Sequence, residues 1–180
     1  MNLVLAAHRS CQNFPATVSH TLEWKDARTL RWQAEVSSEA APVLGQHFGL
    51  DYRKNWELWQ VDVCEIFLQQ RQHPQELTAP YLELQVSRQG QPLAIVIQKP
   101  RVSCYIPLGL ELSAVVEATP RGWRHSCELV WPWPRAGELY LGAFACLGES
   151  SARGYFSHAP NPEAQADFHR PEFFIPWQGS

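Results

Sequence analysis

Apolar residues in this chain recur at every second position, and that period decides what it can fold into. Between residues 29 and 36, Leu30, Trp32, Ala34 and Val36 alternate with Arg31, Gln33 and Glu35. A strand sends successive side chains to opposite sides, so this stretch has one apolar and one polar face. Residues 81–87 repeat the scheme, with Leu82, Leu84 and Val86 as the apolar set. Turn-forming residues follow at 88–92, and residues 93–97 resume as an almost wholly apolar run, which predicts a hairpin. Residues 111–118, 124–131 and 140–147 supply three more strands, and the opening ten residues read as a first one. Helical periodicity hardly occurs. Short strands separated by Gly and Pro predict an all-β antiparallel sandwich of two sheets, immunoglobulin-like in layering, with about nine to eleven strands.

Few segments lack this pattern. Residues 37–45 are small and polar, suiting a loop or a helical turn, and residues 69–80 read as a solvent loop. Residues 132–138 predict a turn with a helical start near Arg135, and residues 159–166 a loop rich in Pro, Asn and Ala. No repeat or low-complexity tract divides the chain, so residues 1–180 are expected to form a single domain.

Composition narrows the function classes. The net charge is −3 and no run of Lys or Arg occurs beyond the pair Arg53–Lys54, which argues against nucleic acid as a partner. No apolar run approaches the ~20 residues that cross a bilayer, so no membrane partner is expected. The first ten residues lack a basic region and a long apolar stretch, so they do not read as an export signal, and a cytoplasmic location is expected. The 5 cysteines are widely spaced in apolar text, without C-x-x-C pairs, and read as buried thiols rather than zinc ligands. The 7 histidines show no ligand spacing either, and no metal or cofactor is expected. Eight tryptophans and 14 prolines suit strands with irregular edges.

The most informative stretch is residues 53–68, where Trp59, Asp62 and Glu65 stand three apart before the apolar Ile66, Phe67 and Leu68. This resembles the W-x-x-D-x-x-E signature of family 9 carbohydrate-binding modules and of related DOMON-like β-sandwich domains. Residues 81–90 are similar to their Y-x-E-x-x-x-S-x-x-G hairpin. Gly122-Trp123 with residues 128–133 resembles their strand ending in an apolar-Pro-Trp step, and residues 167–173 resemble a closing D-F-H-x-x-x-F element. The likeness runs in order over residues 29–177. It implies a sandwich that binds a saccharide or a similar polar ring compound without transforming it. By resemblance, Trp59 and Glu65 match positions that carry sugar contacts.

The physics of such recognition selects further candidates. A pyranose offers C–H patches on its faces and hydroxyls around its rim, so it needs an aromatic plate and planar hydrogen-bonding groups. Trp56 and Trp59 stand where a loop enters a strand, Glu65 supplies acceptors, and Arg53 and Arg88 supply forked donors. His158 follows an alternating strand and precedes a loop, which would let it line a site. A strand starting near Leu58 puts Trp59, Val61, Val63, Glu65 and Phe67 on one face, and Leu58, Gln60, Asp62, Cys64 and Ile66 on the other. The same pattern accommodates Trp59 and Phe67 as core residues with Glu65 tethered to an Arg. Asp167 stands beside His169 either to orient its ring or to cap a turn.

Other classes find less support. The haem-binding relatives commonly use an axial Met, and the only Met here is Met1. No nucleophile elbow or phosphate loop occurs, and Asp62 and Glu65 fall on opposite faces of one strand, so no enzyme is expected. The alternative to a sugar binder is a sandwich without a working sugar site that docks a protein partner through exposed aromatics.

Overall fold

The computed structural model describes residues 1–45, 47–149, 152–159 and 162–177. Twelve strands run in the order β1 (Asn2–Ala7), β2 (Ala16–Trp24), β3 (Thr29–Ser38), β4 (Val63–Arg71), β5 (Tyr81–Ser87) and β6 (Pro92–Lys99), followed by β7 (Ser103–Tyr105), β8 (Leu112–Thr119), β9 (Gly122–Val130), β10 (Glu138–Leu147), β11 (Gly154–Ser157) and β12 (Ile175–Trp177). All pairings are antiparallel. One sheet has the order β1-β2-β3-β9-β8 and the other β7-β6-β5-β4-β10-β11, with β12 sharing the outer edge of β10 with β11. β1 joins the two sheets. Its first residues pair with β2, while Ala6 and Ala7 pair with β11. The fold class is the expected sandwich, and the three-residue strands β7 and β12 carry the count past eleven.

The period-2 text explains the layering. Leu30, Trp32, Ala34 and Val36 of β3 meet Cys64, Ile66 and Leu68 of β4 and Leu82, Leu84 and Val86 of β5 in one apolar cluster between the sheets. Burying each large aliphatic side chain contributes about 1.5–3 kcal/mol against exposure. Trp32 sits at the centre, 1% exposed, with His20 and His125 against its ring at centroid distances of 5.6 and 4.4 Å. The two histidines share the inward face because both pair with Ala34 across β3. No hydrogen-bonding partner reaches either His20 ring nitrogen, and burial lowers the pKa of both residues, that of His125 to about 3. They are therefore neutral, ring-shaped filler.

The predicted hairpin forms as expected. Ser87 and Gln91 close a three-residue loop in which Gly90 adopts a φ of 82°, the left-handed position that follows a type I turn in such hairpins. Elsewhere the loop expectations are corrected. No helical turn forms at Arg135; its guanidinium lies 4.1 Å from the Trp24 ring centroid, and the segment turns instead at Gly137. A Cβ on Gly137 would lie 2.1 Å from the Arg71 carbonyl oxygen, so only glycine fits. Residues 69–71 belong to β4 rather than to a solvent loop. Gln69 is fully buried and donates to the Ala79 carbonyl at 2.5 Å, while Arg71 donates to the Pro171 carbonyl at 2.5 Å. Of the loop expected over residues 159–166, positions 160 and 161 lie outside the described residues.

The second sheet is covered on its outer side as well. Val63, Phe67, Tyr81, Leu93, Ile95 and Phe144 pack there against Leu58, Val61 and Phe174 from neighbouring segments. This cover is incomplete, and the gap it leaves positions the site.

Candidate functional site

A cleft of about 420 Å³ opens on the outer face of the second sheet. Its floor is laid by alternate residues of adjacent strands: Glu65 and Phe67 from β4, Glu83 and Gln85 from β5, and Ile95 and Ile97 from β6. Register brings them together, because Glu65 pairs with Gln85 and Phe67 with Glu83, so the two carboxylates stand diagonally across one strand pair. Trp56, Trp59, Arg101 and the segment 166–169 also line the cleft.

The tryptophans are presented by a braced loop. Asn55, fully buried, donates to the carbonyls of Gly49 at 2.7 Å and Pro92 at 2.6 Å, anchoring the chain just before Trp56. Glu57 then takes a φ of 68°, and residues 58–60 form a single 3-10 turn. Arg153 fixes the far side, donating to the carbonyls of Trp59, Gln60, Val61 and Gly148. The non-glycine residues with a left-handed φ, among those described, are Glu57, which stands between the cleft-lining Trp56 and Trp59 in sequence, and Arg101, which lines the cleft itself. Such conformations cost of order 1–3 kcal/mol each and persist where the surroundings impose them.

The two indoles meet edge to face, with centroids 5.4 Å apart and planes at 81°. That spacing leaves no room for a ring between them, so they form one L-shaped wall. Trp56 is 48% exposed, whereas Trp59 is half-buried. Trp59 lies in the 3-10 turn rather than on the strand, which starts only at Val63. The face assignment holds from Val63 onward. Leu58, placed with Cys64 and Ile66 by parity, instead packs on the outer side, because the turn breaks the alternation.

Both floor carboxylates are removed from solvent, Glu65 to 3% and Glu83 to 4% exposure. Burial, then the charge of Glu83, pushes the Glu65 pKa well up, and the positive charge of Arg153 partly offsets this. Burial raises Glu83 to about 7, against a hydrogen bond donated by the Gln85 amide at 2.5 Å. Among the described residues, Glu65 receives a single long contact, from the Cys146 thiol at 3.9 Å. Gln85 Oε1 is buried with no donor. With its carboxylates ionised, the floor is thus rich in acceptors and short of donors.

The remaining sequence candidates lie elsewhere. Arg53 is exposed and chelates Asp51 at 2.7 and 2.9 Å, which draws the Asp51 pKa down to about 2. Arg88 faces Asp62 at 3.8 Å, and Asp62 in turn accepts from the Gly148 amide at 2.7 Å, a brace between loops. His158 has both ring nitrogens engaged. Nδ1 accepts from the Ala143 amide at 3.0 Å, and the Nε2–H donates to the Phe173 carbonyl at 3.2 Å. None of these three lines the cleft. Asp167 caps its turn by accepting from the His169 amide and pairs with Arg101; the His169 ring is met instead by the Tyr81 hydroxyl, 2.7 Å from Nδ1.

Sequence reading missed Glu83, Gln85 and Arg153. Glu83 and Gln85 were visible as the polar set of an alternating strand, but alternation alone assigns that set to solvent. Arg153 carried little local signal, since three of its four carbonyl partners lie about ninety residues away.

No family model and no curated protein sequence matches the chain. Solved structures do. A candidate carbohydrate-binding protein from Bacteroides uniformis superposes with a TM-score of 0.68 at 12% identity, covering 97% of this chain and 84% of that one. A family 9 carbohydrate-binding module from Caldicellulosiruptor kristjanssonii in complex with cellotriose gives 0.58 at 18% identity, covering 93% and 82%. The glucose complex from the same organism gives 0.56 at 17%, covering 98% and 85%. The chain therefore has the fold of the family 9 carbohydrate-binding modules.

Proposed function

We propose that this protein binds a saccharide in the cleft above β4 and β5, without chemistry on it. One observation carries the reading: Trp59 at the mouth and Glu65 on the floor, the two residues singled out by resemblance, line the same cleft. The volume of about 420 Å³ suits one or two sugar rings rather than a long chain. An indole face would cover the C–H patch of a ring, and the buried acceptors would take its hydroxyl protons. The modules that share this fold were solved with cellotriose and with glucose, which supports the same ligand class here. Trp56 extends the wall, while Arg53, Arg88 and His158 act on structure.

Tryptophan fluorescence, titrated with mono- and oligosaccharides, tests the reading on wild type and Trp59→Ala. A saturable shift lost in a folded Trp59→Ala is the expected result. A flat response across the panel would remove the reading and leave the sandwich as a candidate for docking a protein partner.

A further inference from the structure

The acceptor-rich floor has a consequence for which sugar fits. Glu65 and Glu83 carry two potential negative charges side by side, and no ion pair reaches either among the described residues. The cations nearby are otherwise occupied or peripheral. Arg153 spends its guanidinium on four backbone carbonyls, Arg101 pairs with Asp167 at the rim, and Lys99 is exposed at the cleft edge. His169 is tied to Tyr81, and burial holds its pKa down at about 4, so it brings no charge. Behind the carboxylates, the orphaned Gln85 Oε1 adds a third acceptor without a donor.

A buried carboxylate with no cation either keeps a proton or waits for a charge from outside. A neutral hydroxyl satisfies one lone pair but does not offset the repulsion that ionising both glutamates would create. An alkylammonium does both, since it presents three N–H donors, accepts nothing and brings the missing positive charge. Aromatic walls beside it add cation–π attraction. Carboxylated or sulfated sugars would face like charge in the same place and be excluded.

We infer that the cleft selects a sugar bearing a free, protonated amino group, docked on the Glu65–Glu83 pair with Trp59 against the ring. This deepens the saccharide reading and rests on it.

The test compares glucosamine, glucose and N-acetylglucosamine by calorimetry at pH 7, on wild type and Glu83→Gln. In wild type, glucosamine should bind about tenfold more tightly than either neutral sugar, the usual margin of a charge-assisted hydrogen bond over a neutral one. In Glu83→Gln that ratio should fall close to one. Glucose binding as tightly as glucosamine in wild type would overturn the inference while leaving the saccharide reading intact. A preference that survives Glu83→Gln would overturn it too, by placing the amine elsewhere. No binding of any of the three would sink both. Should Glu83→Gln fail to fold, Glu65→Gln reads the same ratio, and the wild-type comparison alone still decides against the inference if glucosamine gains nothing.

Discussion

β4 and β5 are buried on both faces, but the two faces differ in chemistry. The inward side carries Cys64, Ile66 and Leu68 beside Leu82, Leu84 and Val86, and meets the opposite sheet in a continuous apolar layer. The outward side carries Glu65, Phe67 and Gln69 beside Tyr81, Glu83 and Gln85, and meets loops that leave a cleft. Solvent exposure does not separate the two sides, since both are nearly zero. What separates them is the charge that their polar groups can carry. The polar residues on the facing side of the opposite sheet, His20 and His125, are uncharged at neutral pH; the outward ones are carboxylates that no ion pair reaches among the described residues. The inner face is thus built for stability, the proposed binding role falls to the outer one, and substitutions should sort accordingly.

The largest effect is expected inside. Trp32→Ala would empty the centre of the inter-sheet layer and cost roughly 3–5 kcal/mol in chemical denaturation. Equal loss from Trp59→Ala would break the contrast, because Trp59 is only half-buried at the cleft mouth.

Acid should weaken the inner face next. The folded-state pKa of His125 lies near 3, below its ordinary 6.5, so the unfolded chain takes up the proton first. Its contribution is intact above pH 6.5 and is lost as pH falls below it, amounting to roughly 3 kcal/mol by pH 4. His20 acts in the same direction. Denaturation midpoints between pH 4 and 7 should therefore fall steeply in wild type and less steeply in His125→Leu. Parallel curves would mean that the ring is not buried neutral.

The outer face should respond to pH with the opposite sign. Glu83 has a folded-state pKa near 7, above its ordinary 4.5, so the folded chain holds the proton more tightly. Stability is greatest below pH 4.5 on this account and declines as pH rises through 7. Glu83→Gln should match wild type near pH 4.5 and exceed it by about 1–3 kcal/mol at pH 8. A variant weaker than wild type at pH 8 would show that the carboxylate has an internal partner, and the distinction between the faces would fail there.

This contrast also marks how far the sequence could be read. Period 2 located the strands and assigned the inner face, because an apolar set on one side of a strand has only one use. The polar set was ambiguous. Glu83 and Gln85 look the same in sequence whether they face water or the floor of a cleft, and the cover that decides comes from residues 58–63 and 166–174. Trp59 and Glu65 stood out through resemblance, and the structure brings them to one cleft. Arg53 and Arg88 were chosen for their donors, but each has a nearby acid, Asp51 and Asp62, that takes the fork first. Spacing could not show that Trp59 belongs to a 3-10 turn, since the turn depends on Glu57 adopting a left-handed φ that its side chain disfavours.

That last residue gives the smallest and most discriminating prediction. Glycine tolerates a φ of 68°, so Glu57→Gly would relieve the local conformational cost while adding freedom to the unfolded chain. The two terms oppose each other, and stability should change by no more than about 1 kcal/mol. Binding should respond differently. Glu57 lies between Trp56 and Trp59 and fixes the angle of their wall, and a glycine there lets the loop sample other arrangements before a ligand arrives. Sugar affinity should drop several-fold with the melting temperature nearly unchanged, because ordering the loop would then be charged to binding. If affinity and stability move together instead, the strained residue serves the scaffold, and the mouth of the cleft belongs with the inner face.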